Sequence, residues 1–379
     1  MSPAPQSLRL LVADRSVALR RLIAAELDGV PGIEVLNIAA TAELAIEQVV
    51  STTPDVLLLD VRMGATEVVE SLRATAAFPA VVLLADSAPA DVAASLEAIE
   101  AGAADVVTKL PAGTLEAELK RWVRSTLAPR VLEVRRVQPE HGAIDSLFTG
   151  RARPKHTAPT PILVPAGGEV ERVSPRRSIN LVAIGASTGG PKALAQIIPA
   201  LPLAFPTPIV VVQHMPAAFT GLLASRLATV SNLEVVEASS GQKLRPGCVY
   251  IAPGNRHLLV VGSADQPSIE LSDAPPENSC RPSVDVMFRS VANVYRGRAL
   301  GVVLTGMGQD GLLGAEALRK RGSEVLAQDE ASSIVWGMPG LVVKRGLAER
   351  QVPLFRMAQE ICDEVLGRPR SSAVGLPCH

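Results

Sequence analysis

Cysteine is sparse in this chain. The four present, Cys248, Cys280, Cys362 and Cys378, stand far apart with no Cys-x-x-Cys pair, a pattern that argues against a disulfide framework or a sequence-encoded zinc site and fits a reducing cytoplasm. An excess of charge of one sign is also missing. Thirty-seven Lys and Arg against 38 Asp and Glu leave a net charge of -1, so no overall field draws the chain to nucleic acid or to an anionic membrane. Nowhere do 18 or more apolar residues run together, and Asp14 and Arg15 interrupt the first apolar stretch. Neither export nor membrane insertion is therefore expected. What is present is a globular composition, 47% hydrophobic and 20% charged over 379 residues, which a prior of about 150 residues per domain divides into two domains and connecting chain.

The organisation is a repeated strand and helix. The run Leu8 to Ala13 reads as a strand, and Val17 to Leu27 as a helix with Ser16 as its N-cap. The alternation recurs through Ile33 to Ala39, Asp55 to Asp60, Ala80 to Ala85 and Asp105 to Thr108, each followed by a helical pattern. Apolar strands joined by helices imply a doubly wound parallel sheet, with functional groups gathered at the strand carboxyl ends. Residues 1–127 form this first α/β domain. Residues 128–178, rich in Pro and Arg, read as a linker, either a solvated spacer or a partner contact. A second α/β domain occupies residues 179–368, with Leu233 to Leu271 expected as a meander of short strands beside its sheet. Residues 369–379 read as a flexible tail.

The chemistry concentrates in the second domain. Gly185-Ala186-Ser187-Thr188-Gly189-Gly190-Pro191 follows an apolar strand and opens a helix, so Ser187 sits at a sharp turn near free backbone N–H groups. Such a turn suits a nucleophile or a phosphate loop, and the missing Gly-x-Gly-x-x-Gly argues against a dinucleotide. A nucleophilic serine needs a base, and His214 ends the strand PIVVVQH, at the same sheet edge. His257 reads as a structural or substrate-side group. Asp310, Asp285 and Asp273 compete as the carboxylate that orients the imidazole. Asp310, in LTGMGQDG, ends a strand and is best placed, although an aspartate there also suits a helix N-cap.

The motifs GASTGGP, VVVQHMP, APGNRH, RPSVDVMF and LTGMGQDG, in this order, closely resemble the chemotaxis-type protein-glutamate methylesterases. The resemblance implies a catalytic Ser187, His214 and Asp310, with Thr188, Gly189, Gly190 and Met307 in the substrate and oxyanion region. It implies hydrolysis of glutamate γ-methyl esters on methyl-accepting chemoreceptors, deamidation of receptor glutamine, and no metal for catalysis. A noncatalytic scaffold is the competing reading, and a transcriptional regulator or a nucleotide-binding oxidoreductase finds no support in the second half.

The same family carries a response-regulator receiver, a flavodoxin-like domain, ahead of the esterase. In this sequence Asp60 matches the phosphoacceptor, Lys109 the phosphoryl-contacting lysine and Asp14 one of two acidic residues after the first strand, and the resemblance implies a chemotaxis histidine kinase as partner. Arg15 departs from the pattern. It puts a fixed positive charge where magnesium would need a carboxylate, so magnesium is not expected to bind. Ala85 replaces the switch hydroxyl, with Ser87 nearby, and the loop VRMGATEVVE after Asp60 is shortened. These departures point to a degenerate receiver in which Arg15 pairs with Asp60; the other reading keeps phosphorylation at Asp60.

Overall fold

Stretches such as VLLLD and AVVLLA bury every residue, which requires cover on both faces of a sheet. The computed structural model, which describes residues 7–76, 78–134 and 178–368, supplies that cover with helices. Strands β1 (Leu8–Ala13), β2 (Ile33–Ala39), β3 (Val56–Asp60), β4 (Ala80–Ala85) and β5 (Asp105–Thr108) form a parallel sheet in the order β2-β1-β3-β4-β5. This flavodoxin-like order reverses direction between β1 and β3, so Asp14 and Asp60 meet at the reversal. Local chemistry starts the first crossovers: Ser16 accepts from the Leu19 N–H and Thr41 from the Leu44 N–H, capping helices Val17–Asp28 and Ala42–Thr52.

The first domain extends past the expected boundary at Leu127. Helix Glu116–Trp122 continues through a π-helical turn, Val123–Leu127, into helix Ala128–Glu133. Pro129 sits in the first turn of that last segment, where its missing N–H is tolerated. Trp122, Val123, Leu127, Val131 and Val134 hold the segment down by burial. The linker from residue 135 to residue 177 and the tail 369–379 lie outside the described residues.

The second domain contains strands β6 (Leu181–Ala186), β7 (Ile209–Gln213), β8 (Glu234–Glu237), β9 (Cys248–Ile251), β10 (His257–Ser263), β11 (Gln266–Ser272), β12 (Ala299–Val303), β13 (Glu324–Gln328) and β14 (Arg350–Val352). Seven of them make one parallel sheet, β14-β13-β12-β6-β7-β9-β8. The expected meander is only half present. β8 and β9 pair in parallel and extend the main sheet, while β10 and β11 alone form an antiparallel hairpin. The glycines at 241 and 247 do turn the chain, with positive φ. The connection they belong to rests on β11, through Gly241 N to Ile269 O at 2.7 Å and Ile269 N to Gln242 O at 2.8 Å, and returns the chain to the start of β8's neighbour.

The two domains touch. Helix Pro89–Ala101 contributes Leu96 and Ile99 to an apolar cluster shared with Leu194, Phe219 and Leu227 of the second domain. Arg226 reaches across to Glu97 at 2.8 Å and Glu100 at 3.0 Å. A second shared cluster joins the last helix of the first domain to Met307, Ile334 and Val335.

Candidate functional site

β6 lies between β7 and β12, and the chain reaches these neighbours by opposite routes, so the sheet reverses direction at β6. A crevice opens at the carboxyl ends of strands at such a point. The register aligns Ala186 with Gln213 and Val303 with Gly185, which brings Ser187 and His214 side by side, one residue beyond adjacent strands. The backbone secures both: His214 N donates to Ala186 O at 3.0 Å and Ser187 N to Thr305 O at 3.0 Å. Gly189, at φ +79°, starts helix Gly190–Ile197. A Cβ at Gly190 would lie 1.9 Å from Gln213 Oε1, so this turn admits no side chain there. Gln213 in turn donates from Nε2 to Ser187 O at 2.9 Å.

Asp310 is the carboxylate that meets the histidine: His214 Nε2 lies 2.8 Å from Asp310 Oδ2. Asp310 does not cap the helix that follows it, whose N-cap is Gly311. It sits instead at the N-terminus of a different helix, Val284–Tyr295. Val284 N donates to Oδ2 at 2.6 Å, while Asp285 N at 3.1 Å and Ser283 Oγ at 2.8 Å donate to Oδ1. Oriented amides at a helix start stabilise an anion. Burial pushes the Asp310 carboxyl up, but His214, the Asp285 N–H and the Ser283 hydroxyl outweigh it and hold the group at about 2. An ionised Asp310 accepts the His214 Nε2 proton, which leaves Nδ1 as the other ring position. Burial pushes His214 down, and the bonds to Asp310 and Cys280 with their charges raise it to about 9.

The rival carboxylates have other partners. Asp285 is fully buried, accepts from Gly314 N at 2.6 Å and from Asn278 Nδ2 at 2.9 Å, and is pushed up to about 6 by burial. Asp273 pairs on the surface with Arg256 at 3.0 Å. His257 is buried between loops: it accepts from Ser283 N at Nδ1, 3.2 Å, and its Nε2 lies 3.1 Å from Pro275 O. It thereby positions the helix start that holds Asp310.

Among the described residues no hydrogen bond joins Ser187 Oγ to His214. The neighbours of Ser187 contact the first domain instead. Thr188 Oγ1 donates to Asp105 Oδ2 at 2.8 Å, and Arg130 Nη1 pairs with the same oxygen at 2.7 Å. Met307 packs on the cluster formed by the last helix of that domain. Asn278, Cys280 and Ser283 were missed as site residues by the reading of the sequence. The one available signal was Ser283 ahead of the amphipathic run VDVMFRSV, where it caps the helix by accepting from Val286 N.

At the first sheet the acidic pocket is filled by cations. Arg15 Nε lies 3.3 Å from Asp60 Oδ2, as the sequence led us to expect, and Lys109 Nζ lies 2.7 Å from Asp14 Oδ2 and 3.1 Å from Asp60 Oδ1. The loop after Asp60 makes a single 3-10 turn, Val61–Met63, before helix Ala65–Arg73.

Comparison with known proteins agrees with this division. Residues 10–119 match the response regulator receiver domain and residues 182–361 the CheB methylesterase. The chain therefore joins a receiver to an α/β methylesterase domain. It is 40% identical to the protein-glutamate methylesterase/protein-glutamine glutaminase of Trichodesmium erythraeum over 93% of its own length and 97% of that protein. It is equally identical to the protein of that name from Nocardioides sp., over 97% and 98%. The crystal structure of the Thermotoga maritima CheB methylesterase catalytic domain is 42% identical, with a TM-score of 0.48, covering 49% of this chain and 98% of that one. This chain belongs to the protein-glutamate methylesterase/protein-glutamine glutaminase family.

Proposed function

We propose that the chain hydrolyses glutamate γ-methyl esters on methyl-accepting chemoreceptors in the cytoplasm, and deamidates receptor glutamine, through a covalent glutamyl-serine intermediate. The observation that carries the reading is the 2.8 Å His214 to Asp310 bond, with His214 in register beside Ser187 at the sheet reversal. With Nε2 tied to Asp310, Nδ1 takes the Ser187 proton as Oγ attacks the γ-carbonyl. The developing oxyanion is met by backbone N–H groups of the turn after Ser187, with Thr188, Gly189, Gly190 and Met307 around it. His214 returns the proton to the leaving methanol, or to ammonia from a glutamine. Water then hydrolyses the acyl-serine with the same base, and Asp310 stays ionised throughout. Methanol release from methylated receptor membranes tests this: Ser187→Ala should lower it about 10⁶-fold, beyond detection, and a variant that kept even a tenth of the rate would refute the assignment.

For the receiver, we propose that Asp60 is neutralised by Arg15 and Lys109 and that magnesium is not bound. A divalent cation requires oxygen ligands, and the guanidinium at position 15 supplies none while lying against the Asp60 oxygen that would serve as one. No step of the esterase reaction involves a metal. A chemotaxis histidine kinase remains the partner that the domain's family suggests, and the Asp60 pocket argues that phosphoryl transfer to this copy is impaired.

A further inference from the structure

Cys280 is used by no step above, yet its Sγ lies 3.7 Å from His214 Nδ1. Together His214, Cys280 and Asp310 offer nitrogen, sulfur and oxygen donors within 4.8 Å of one another. Their positions in the chain, with Cys280 66 residues and Asp310 96 residues from His214, hide this constellation from any reading of spacing. Zinc bound to sulfur at about 2.3 Å and to imidazole nitrogen at about 2.0 Å, at a tetrahedral angle, sets the two donors about 3.5 Å apart. The Sγ to Nδ1 separation needs almost no adjustment to meet this. The opposite side of the ring is also prepared, because a zinc-bound histidine characteristically donates its other N–H to a carboxylate. Asp310 already accepts there at 2.8 Å.

We infer that Cys280 and His214 form an inhibitory site for a thiophilic divalent cation, with zinc as the expected ion. The cation takes Cys280 Sγ as thiolate and the Nδ1 lone pair of His214, and the protons these atoms carried leave to solvent. Asp310 stays on Nε2 as the outer support. Water completes the coordination, so the site has two protein donors where structural zinc sites have four, and binding is reversible. The consequence deepens the function proposed above and rests on it: Nδ1 is the atom that must accept the Ser187 proton, and a cation bound there removes the base without disturbing the fold. A hard cation such as magnesium, which prefers oxygen, would not compete.

The test uses the full chain in a zinc-buffered assay of methanol release, with Cys280→Ser for comparison, and cobalt(II) as a spectroscopic probe. Wild type should lose activity as free zinc rises and regain it on adding a chelator. Cys280→Ser should need at least tenfold more zinc for the same fractional loss. Cobalt should give a thiolate charge-transfer band in wild type that is absent from Cys280→Ser. Equal zinc sensitivity in the two proteins, or no such band in wild type, overturns the site. A cobalt band without zinc inhibition would keep the cation at Cys280 and His214 and instead sink the assignment of His214 as the base.

Discussion

Two buried aspartates lie at the carboxyl edges of two parallel sheets, Asp60 as the last residue of β3 and Asp310 in the loop after β12, and the protein treats them differently. Asp60 is met by full positive charges, Arg15 and Lys109, whereas Asp310 is met by the Ser283 hydroxyl, the backbone amides of Val284, Asp285 and Gly311, the Asn278 side-chain amide and one ring N–H. Dipoles hold a carboxylate ionised while leaving it free to influence a single titratable neighbour. Fixed cations neutralise it and crowd the space that an incoming metal or phosphoryl group would occupy. The first arrangement suits repeated proton transfer at His214; the second fills the pocket at Asp60 with the chain's own side chains.

The largest expected effect comes from removing the charge that the dipoles hold. Asp310→Asn should lower kcat for methanol release about 10⁴-fold, because the amide favours the wrong imidazole tautomer. The corresponding change at Asp60, Asp60→Asn, should alter the rate little, and a comparable loss there would erase the contrast between the two sites. The pH profile should separate them next. His214 is raised to about 9, so the protonated form, which cannot act as base, dominates at pH 7. As pH rises the neutral fraction grows, and kcat/KM should climb nearly tenfold between pH 7 and 8 and level off above about 9. A profile flat from pH 7 upward would mean that the ring is already neutral. A smaller effect isolates one donor. Ser283→Ala removes the hydroxyl bonded to Asp310, an interaction with a charged group worth about 1.5 kcal/mol or more, and should lower kcat about tenfold with KM little changed. An unchanged kcat would leave the backbone amides and the Asn278 side chain as the support of Asp310 beside His214.

The parts of this site visible in the sequence are those that strand periodicity can locate. Ser187 and His214 directly follow largely apolar strands, and Asp310 lies in the loop after another, so the sequence alone places each at a sheet edge. Arg15 was legible for the same reason, being one residue beyond Asp14 after β1. Cys280, Asn278 and Ser283 come from the loop between the β10–β11 hairpin and helix Val284–Tyr295, which has no period to anchor it, and the His214 and Asp310 atoms they contact lie 27 to 66 residues away. The Thr188 to Asp105 bond crosses between domains, 83 residues apart, and nothing local announces it. The misread boundary at Leu127 and the misread meander share one cause. Proline and glycine mark turns, but whether a chain stops, continues or returns in parallel after them is decided by what it packs against.

The contrast between the two aspartates is tested most directly by adding a small-molecule phosphodonor and magnesium to the full chain while following methanol release and label at Asp60, in wild type and in Arg15→Asp. Wild type should show no stoichiometric label and no change in rate, with magnesium-dependent labelling appearing once Arg15→Asp supplies a carboxylate. Stoichiometric labelling of wild-type Asp60, lost in Asp60→Ala and accompanied by a change in methanol release, would contradict that contrast.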